Sequence, residues 1–441
     1  MDDVTVLIGG KAGDGINSAG TMISQLLNHL GYSVYLYFDY PSLIRGGHNF
    51  AIIRGTHSSV SPGACGEKAD FLLALDQTTL ERHNNRQKPD SVLLFTEGLV
   101  KANGQAVPVK EILTAEQAPA VMGNSAFIGG FARAAGIDWE IVDRVFRRHI
   151  PKGTDQNLRV ARSAYDRIAT VRPVFRGPNP PRPLLTGNEA VGLGLIRGGL
   201  DAYISYPMTP SSGLLHFLAG ESERFGLTVV HPENEIAVIL MALGAAAAGK
   251  RAAVGTSGGG FCLMTEGLSL AGMAELPVVI LMSQRTGPST GLPTYTAQAD
   301  LRFVIHAGQG EFPRLVVAPS DASEAIAWSS RALDLAWRCQ APAFILTDKT
   351  LSEGMYSTDL SPHDLPVFGR EGREAVERPY QRYADTPSGV SPPAFPGTEG
   401  AVVKVNSYTH DESGITTEDG EVTAQMTKKR LRKAETLKKS L

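Results

Sequence analysis

The stretch RAAVGTSGGGFCLMTEGLSLAGMAELPVVILMSQR (251–285) decides the fold. It opens on a short apolar strand (251–256), breaks at three glycines and runs on as a helical stretch. It closes in a second apolar strand, PVVILMS (277–283), followed shortly by an arginine. Near-continuous apolar strands, bounded by turn residues and joined by helices, are the pattern of a parallel sheet covered on both faces. Working outward, AYISYP (202–207), LTVVH (227–231), RLVVAP (314–319) and APAFILTD (341–348) are further strand candidates. Helical stretches separate them, notably IAVILMALGAAAA (236–248). Residues 186–365 therefore read as a doubly wound α/β domain.

The first 175 residues show the same alternation. VTVLI (4–8) enters the turn GGKAGDG (9–15), and a helix follows with Ile16, Ala19, Ile23, Leu26, Leu27 and Leu30 on one face and Gly31 as its stop. SVYLYF (33–38), ADFLLAL (69–75) and SVLLF (91–95) are strand candidates, and a further strand is expected within LIRGGHNFAIIR (43–54). The expectation is again a mostly parallel sheet with helices on both faces. RGPNPPRP (176–183) marks a proline-rich linker at 176–185. Beyond 365 the pattern fades into a Pro/Gly-rich stretch and the basic close TKKRLRKAETLKKSL. That basic run reads as a solvated helix, or as one that docks on something absent from this chain.

At 441 residues the chain exceeds the roughly 250–300 at which one hydrophobic core stops growing, so two domains are expected. With 42% hydrophobic and 20% charged residues the composition is that of an ordinary globular protein. A net charge of −3 offers no electrostatic attraction to nucleic acid or an anionic membrane. No run of about 20 apolar residues is present, and the acidic start is no signal peptide. Cys65, Cys262 and Cys339 are widely spaced, which points to a reducing cytoplasm and excludes a zinc site or a four-cysteine cluster. No metal ligands are expected on the chain.

Four polar features follow four of the strand candidates in residues 186–365. Thr209, in SYPMTPSSG (205–213), follows the first, with Ser211 or Ser212 as helix N-cap. Glu233 and Glu235 follow the second, TSGGG (256–260) the third, and Arg285 the fourth. Ligands of open parallel sheets bind beyond the carboxyl ends of the strands, so neighbouring strands would gather these groups on one rim. Each also has an ordinary reading. The acids complement a helix dipole, TSGGG is a tight turn or a nest of N–H groups, and an arginine belongs on a surface. The helix after the glutamates is so apolar that its first turn is expected to be buried, and a buried carboxylate needs a partner. Together a hydroxyl and an arginine suit a substrate carboxylate, and a semi-buried glutamate suits a heterocyclic nitrogen. GGKAGDG fits neither standard nucleotide fingerprint, and stands as either a ligand turn or a tight structural turn.

The chain resembles the α subunit of the 2-oxoacid:ferredoxin oxidoreductases in the form with a γ domain fused at its N-terminus. The resemblance rests on GGKAGDGINSAG and YPSLIRGGHNFAIIR in the γ part, and on YPMTPSS, the run from Glu233 through Leu281, QRTGPSTGLPT and HAGQGEFPRLVVAPSD in the α part. It implies a γ-type domain at 1–175 and a thiamine-diphosphate pyrimidine-binding domain at 186–365. The implied reaction turns a 2-oxoacid and CoA into acyl-CoA and CO2, with two electrons passing to ferredoxin. Thr209 and Arg285 match the family's contacts to the 2-oxoacid carboxylate. Glu235, rather than Glu233, matches the glutamate on the aminopyrimidine N1′, which favours the imino tautomer and so assists removal of the thiazolium C2 proton. The resemblance further implies Ser257 and Gly258 as cofactor contacts, and Gly13, Gly15 and Arg45 as the candidates for touching CoA.

The resemblance also implies a β subunit holding the diphosphate, its Mg2+ and a [4Fe–4S] cluster, in a dimer of heterodimers. The β-type diphosphate motif and cluster cysteines are missing from this chain, so it is expected to work only with that partner. Related α subunits continue past KKRLRK into a transketolase-like domain, and residues 366–441 read as the connector to it. The expected substrate is 2-oxoglutarate. The alternatives are a non-oxidative thiamine-dependent subunit and a non-catalytic CoA-binding or assembly subunit.

Overall fold

The computed structural model describes residues 2–41, 46–359, 376 and 378–441. The described residues of 1–185 and 354–360 make one compact unit, and those of 186–353 and 361–441 a second. No helix among them is long and apolar enough to cross a membrane.

The first unit begins β1 (Asp3–Lys11), α1 (Ile16–His29), β2 (Ser33–Asp39), β3 (His48–Thr56), β4 (Ala69–Ala74) and α2 (Gln77–His83). It continues with β5 (Gln87–Thr96), β6 (Gln105–Val107), α3 (Val109–Ala115), α4 (Gly123–Ala134), α5 (Trp139–His149), α6 (Thr154–Tyr165) and β7 (Leu184–Thr186). The second unit carries α7 (Gly187–Arg197), β8 (Ala202–Ile204), α8 (Ser212–Gly220), α9 (Ser222–Phe225), β9 (Thr228–Val230), α10 (Glu235–Ala247) and β10 (Ala252–Thr256). Then come α11 (Gly258–Met273), β11 (Val278–Gln284), α12 (Leu301–His306), β12 (Leu315–Val317), α13 (Ala322–Cys339), β13 (Pro342–Asp348) and α14 (Lys349–Glu353). β14 (Met355–Ser357) returns to the first unit, and α15 (Gly420–Ser440) closes the second.

The first sheet runs β6-β5-β4-β1-β3-β2-β14-β7. Its β6-β5-β4-β1 half is parallel; β1–β3, β3–β2 and β2–β14 are antiparallel. The expectation of a mostly parallel sheet is therefore corrected to a mixed one. The physical reason is the connection between β2 and β3, which spans only residues 40–47 and is too short for a helical crossover. α1 starts at Gly15, whose φ of 69° is left-handed, and stops at Gly31, φ 90°, where Tyr32 N–H reaches back to the Leu27 carbonyl at 3.1 Å. The proline-rich 176–185 stretch is strapped along the end of this helix. Gly177 N–H donates to the Leu30 carbonyl at 2.7 Å, and the Asn28 amide to the Arg182 carbonyl at 2.7 Å.

The second sheet is parallel throughout, in the order β12-β13-β11-β10-β8-β9. Ile204, Val254, Ile280 and Met282 pack into one core with α10 and α11. The alternating residues Tyr203, Ala253, Val279 and Leu281 are equally buried, so both faces are covered. The basic close is not solvated along its whole length. In α15, Lys429, Arg430 and Lys433 are buried, and both lysines reach Glu275, just past the end of α11.

Candidate functional site

Strands β11, β10, β8 and β9 are consecutive neighbours, all pointing the same way. The four polar features therefore share one rim, at the carboxyl ends of these strands. β8 leads through α8 to β9 on one side, and β10 leads through α11 to β11 on the other. The crevice beyond β8 and β10 is thus the switch point where parallel sheets take their ligands.

In the turn after β8, Met208 O accepts Ser211 N–H at 2.8 Å, Ser212 N–H at 3.1 Å and the Ser211 hydroxyl at 2.8 Å. Ser211 occupies the N-cap of α8 yet makes no side-chain cap bond, because its hydroxyl turns back to Met208. The Thr209–Pro210 peptide is cis. Arg285, only 9% exposed, leaves β11 and donates Nη1–H to the Thr209 carbonyl at 2.8 Å. Its Nε is buried with no partner, and burial pulls its pKa below the usual guanidinium value.

Glu235 opens α10, behind an N-cap in which Asn234 Oδ1 accepts Ala237 N–H at 3.0 Å. Glu235 is 4% exposed, whereas Glu233 is exposed. Carboxylate atom Oε1 of Glu235 is buried and unpartnered, and so is the Ser257 hydroxyl at the N-cap of α11. Gly260, in the first turn of α11, faces both the Glu235 carboxylate and the Thr256 hydroxyl, so closely that a Cβ there would collide with each. At Gly258 a Cβ would lie 3.2 Å from the Asp300 carboxylate, whose pKa burial raises. The residues before and after Arg285 are themselves braced. Gln284 Oε1 accepts Asp300 N–H at 2.9 Å, closing the base of the 285–300 loop.

α10 is less buried than its composition suggested. Ile236, Leu240 and Met241 are 47–49% exposed, and Leu263 of α11 is 48% exposed. An apolar face is therefore left in solvent beside Glu235, since an all-apolar helix carries no pattern to say which side is covered.

In the first unit, Gly13 (φ 98°) and Gly15 (φ 69°) take left-handed backbone between β1 and α1. The turn is fixed by Lys11 N–H on Asp14 Oδ2 at 2.8 Å and by the Asn124 amide on the Asp14 carbonyl at 2.6 Å. It borders a crevice of about 380 Å3 reached also by Leu75 and Thr96 from the ends of β4 and β5, by Gly123 and Asn124 from α4, and by exposed Leu99 and Val121. Arg45 lies outside the described residues, while Gly47 O accepts Ala12 N–H at 2.8 Å. Next to it, His48 and His83 meet at 2.9 Å between their Nε2 atoms, and burial, then His48, pushes His83 down to about 4.

Sequence reasoning missed Asn188, whose amide donates to the Pro210 carbonyl at 2.9 Å, as well as Gln284 and Asp300. Each is brought to the rim by long-range pairing that no local motif reports.

Residues 193–429 match the family model described as pyruvate flavodoxin/ferredoxin oxidoreductase, thiamine diP-binding, and residues 5–167 match that of pyruvate ferredoxin/flavodoxin oxidoreductase. The chain is 31% identical to the 2-oxoacid:ferredoxin oxidoreductase subunit alpha of Saccharolobus solfataricus, over 99% of this chain and 79% of that one. It is 37% identical to the 2-oxoglutarate synthase subunit KorA of Archaeoglobus fulgidus, over 41% of this chain and 52% of that one. Among solved structures it is similar to the 2-oxoglutarate:ferredoxin oxidoreductase from Magnetococcus marinus with 2-oxoglutarate, coenzyme A and succinyl-CoA bound. That match has a TM-score of 0.90 at 28% identity and covers 100% of this chain and 80% of the other.

Proposed function

We propose, from the premise that this chain belongs to the 2-oxoacid:ferredoxin oxidoreductase family and is an α-type subunit of an oxidoreductase, that it supplies the 2-oxoacid site and the pyrimidine half of a thiamine diphosphate site. The reaction takes a 2-oxoacid and CoA to acyl-CoA and CO2, with two electrons going to two ferredoxins and one proton released. One observation carries the reading: Glu235 Oε1 is buried without a partner, packed against Gly260, where no side chain would fit. A carboxylate in that state costs stability unless something binds it, and a heterocyclic N–H fits. The residues present therefore fit the cofactor.

When bound, thiamine diphosphate supplies the carbanion stabilisation that lets a 2-oxoacid lose CO2. The chain's own residues do the rest. Glu235 holds the pyrimidine N1′ and moves its tautomeric balance, and such positioned proton transfer typically contributes about 10²–10⁴ in rate. Ser257, whose buried hydroxyl has no partner, and Gly258 would help hold the pyrimidine. Arg285 and the Thr209 hydroxyl bind the substrate carboxylate, a pairing whose charge-assisted bonds orient the keto carbon. The first-unit turn at Gly13 and Gly15 presents backbone N–H groups for the phosphates of CoA.

The exposed apolar residues Ile236, Leu240, Met241 and Leu263 border Glu235 and suit a β-type subunit that closes the site. That subunit would bring the diphosphate site, Mg2+ and a [4Fe–4S] cluster, in a dimer of heterodimers in the cytoplasm. 2-Oxoglutarate is the first substrate to try, on the strength of the relatives named for it. The test is 2-oxoacid- and CoA-dependent reduction of ferredoxin or viologen by the α chain copurified with its partner. Turnover of 2-oxoglutarate above pyruvate and branched-chain 2-oxoacids supports the proposal; no turnover with any of them sinks it.

A further inference from the structure

We propose that Asn188 is a positioning residue for the 2-oxoacid pocket, setting the Thr209 hydroxyl through the carbonyl of the next residue. The inference rests on the reading of Thr209 and Arg285 as the substrate's carboxylate contacts.

Asn188 sits in the first turn of α7, and its backbone has little freedom. On one side Thr186 and Glu189 form a reciprocal cap, with Glu189 N–H on Thr186 Oγ1 at 3.2 Å and Thr186 N–H on Glu189 Oε2 at 2.7 Å. On the other, Gly187 packs against the Leu351 carbonyl so tightly that no Cβ fits. α7 itself is pressed between α8 and α13. From this fixed base the side chain, 3% exposed, donates Nδ2–H to the Pro210 carbonyl at 2.9 Å.

The turn is thereby held at three successive carbonyls. Met208 O is taken by Ser211 and Ser212, Thr209 O by Arg285 at 2.8 Å, and Pro210 O by Asn188. Two of the four donor residues come from outside the turn, Asn188 from α7 and Arg285 from the end of β11. Fixing consecutive carbonyls fixes the peptide planes between them, and with them the direction in which Thr209 presents its side chain. The glycine that ends SYPMTPSSG has its reason here as well. A Cβ on Gly213 would lie 2.7 Å from Asn188 Nδ2 and 3.3 Å from its Cγ, so the amide nitrogen packs where a side chain would otherwise stand. A carbonyl acceptor requires a donor, so an aspartate of the same shape would set a lone pair against Pro210 O.

The experiment measures steady-state constants and 2-oxoacid affinity by calorimetry, in the copurified complex, for Asn188→Asp, Gly213→Ala, Thr209→Val and Arg285→Lys. Asn188→Asp and Gly213→Ala should each raise KM and Kd for the 2-oxoacid about tenfold, the scale of one lost buried hydrogen bond. KM for CoA should stay at its original value. If Thr209→Val and Arg285→Lys weaken the 2-oxoacid while Asn188→Asp and Gly213→Ala do not, the Asn188 inference is overturned and the pocket reading stands. If none of the four changes 2-oxoacid affinity, the pocket reading itself falls. Equal losses for 2-oxoacid and CoA together with a lower Tm would mark Asn188 as merely structural. Should Asn188→Asp fail to fold, Gly213→Ala carries the test, because its methyl displaces the same amide.

Discussion

Glu235 and Glu275 are both buried in the second unit, one beside the first turn of α11 and the other just past its last turn, about 24 Å along the helix. Glu275 is surrounded. Lys429 donates to its two oxygens at 2.8 and 2.9 Å, Lys433 pairs with it as well, and Arg382 takes its backbone carbonyl at 2.9 Å. Burial opposes its ionisation, yet Lys433 and Lys429 together prevail and hold the carboxyl at about 2. Glu235 has one oxygen with no partner at all. A carboxylate that serves the fold is satisfied by the fold, whereas one that serves a ligand is left incomplete until the ligand arrives.

That contrast breaks first at Glu235. Glu235→Gln should cut turnover of the copurified complex by about 10²–10⁴ while leaving Tm of the chain unchanged or slightly higher, since no internal pair is lost. Glu275→Gln should do the reverse. Stranding two buried lysines costs about 3–5 kcal/mol, read as a lower denaturant midpoint. Its pH dependence follows from a folded pKa held below the unfolded one. The stabilisation is present above about 4.5 and is lost as pH falls toward about 2, so the Gln variant should show a flatter acid limb in Tm over that window. A smaller effect is expected at Gly260→Ala, whose methyl would displace the Glu235 carboxylate packed against that glycine. Crowding there should weaken thiamine diphosphate binding by about 1–3 kcal/mol, measured by titration of the complex. Exposed Glu233→Gln should change neither turnover nor stability beyond about 0.5 kcal/mol; a larger loss would mean that the wrong glutamate carries the chemistry.

The strands of the second sheet and the polar residues at their ends were legible because each is a local event: an apolar run, then a turn. Strand order was not, because nothing local in β8 says that β10 rather than β11 will lie beside it. The rim became a site only once that order placed four strand ends together. Asn188 escaped notice for a related reason, since it looks like any first-turn residue and meets Pro210 only across 22 positions of chain. In the first unit the antiparallel half escaped because β2 and β3 have the same apolar composition as parallel strands. The cations of α15 read as a solvated run because charge pattern does not reveal a buried acid 154 residues earlier.

Glu235 being reserved for the cofactor's pyrimidine is the claim on which the rest depends. Its most direct test is hydrogen–deuterium exchange at C2 of thiamine diphosphate bound to the complex, compared between the original chain and Glu235→Gln. Exchange should be slower by about 10²–10⁴ in the variant, with cofactor still bound. Equal exchange rates in the two proteins would contradict it.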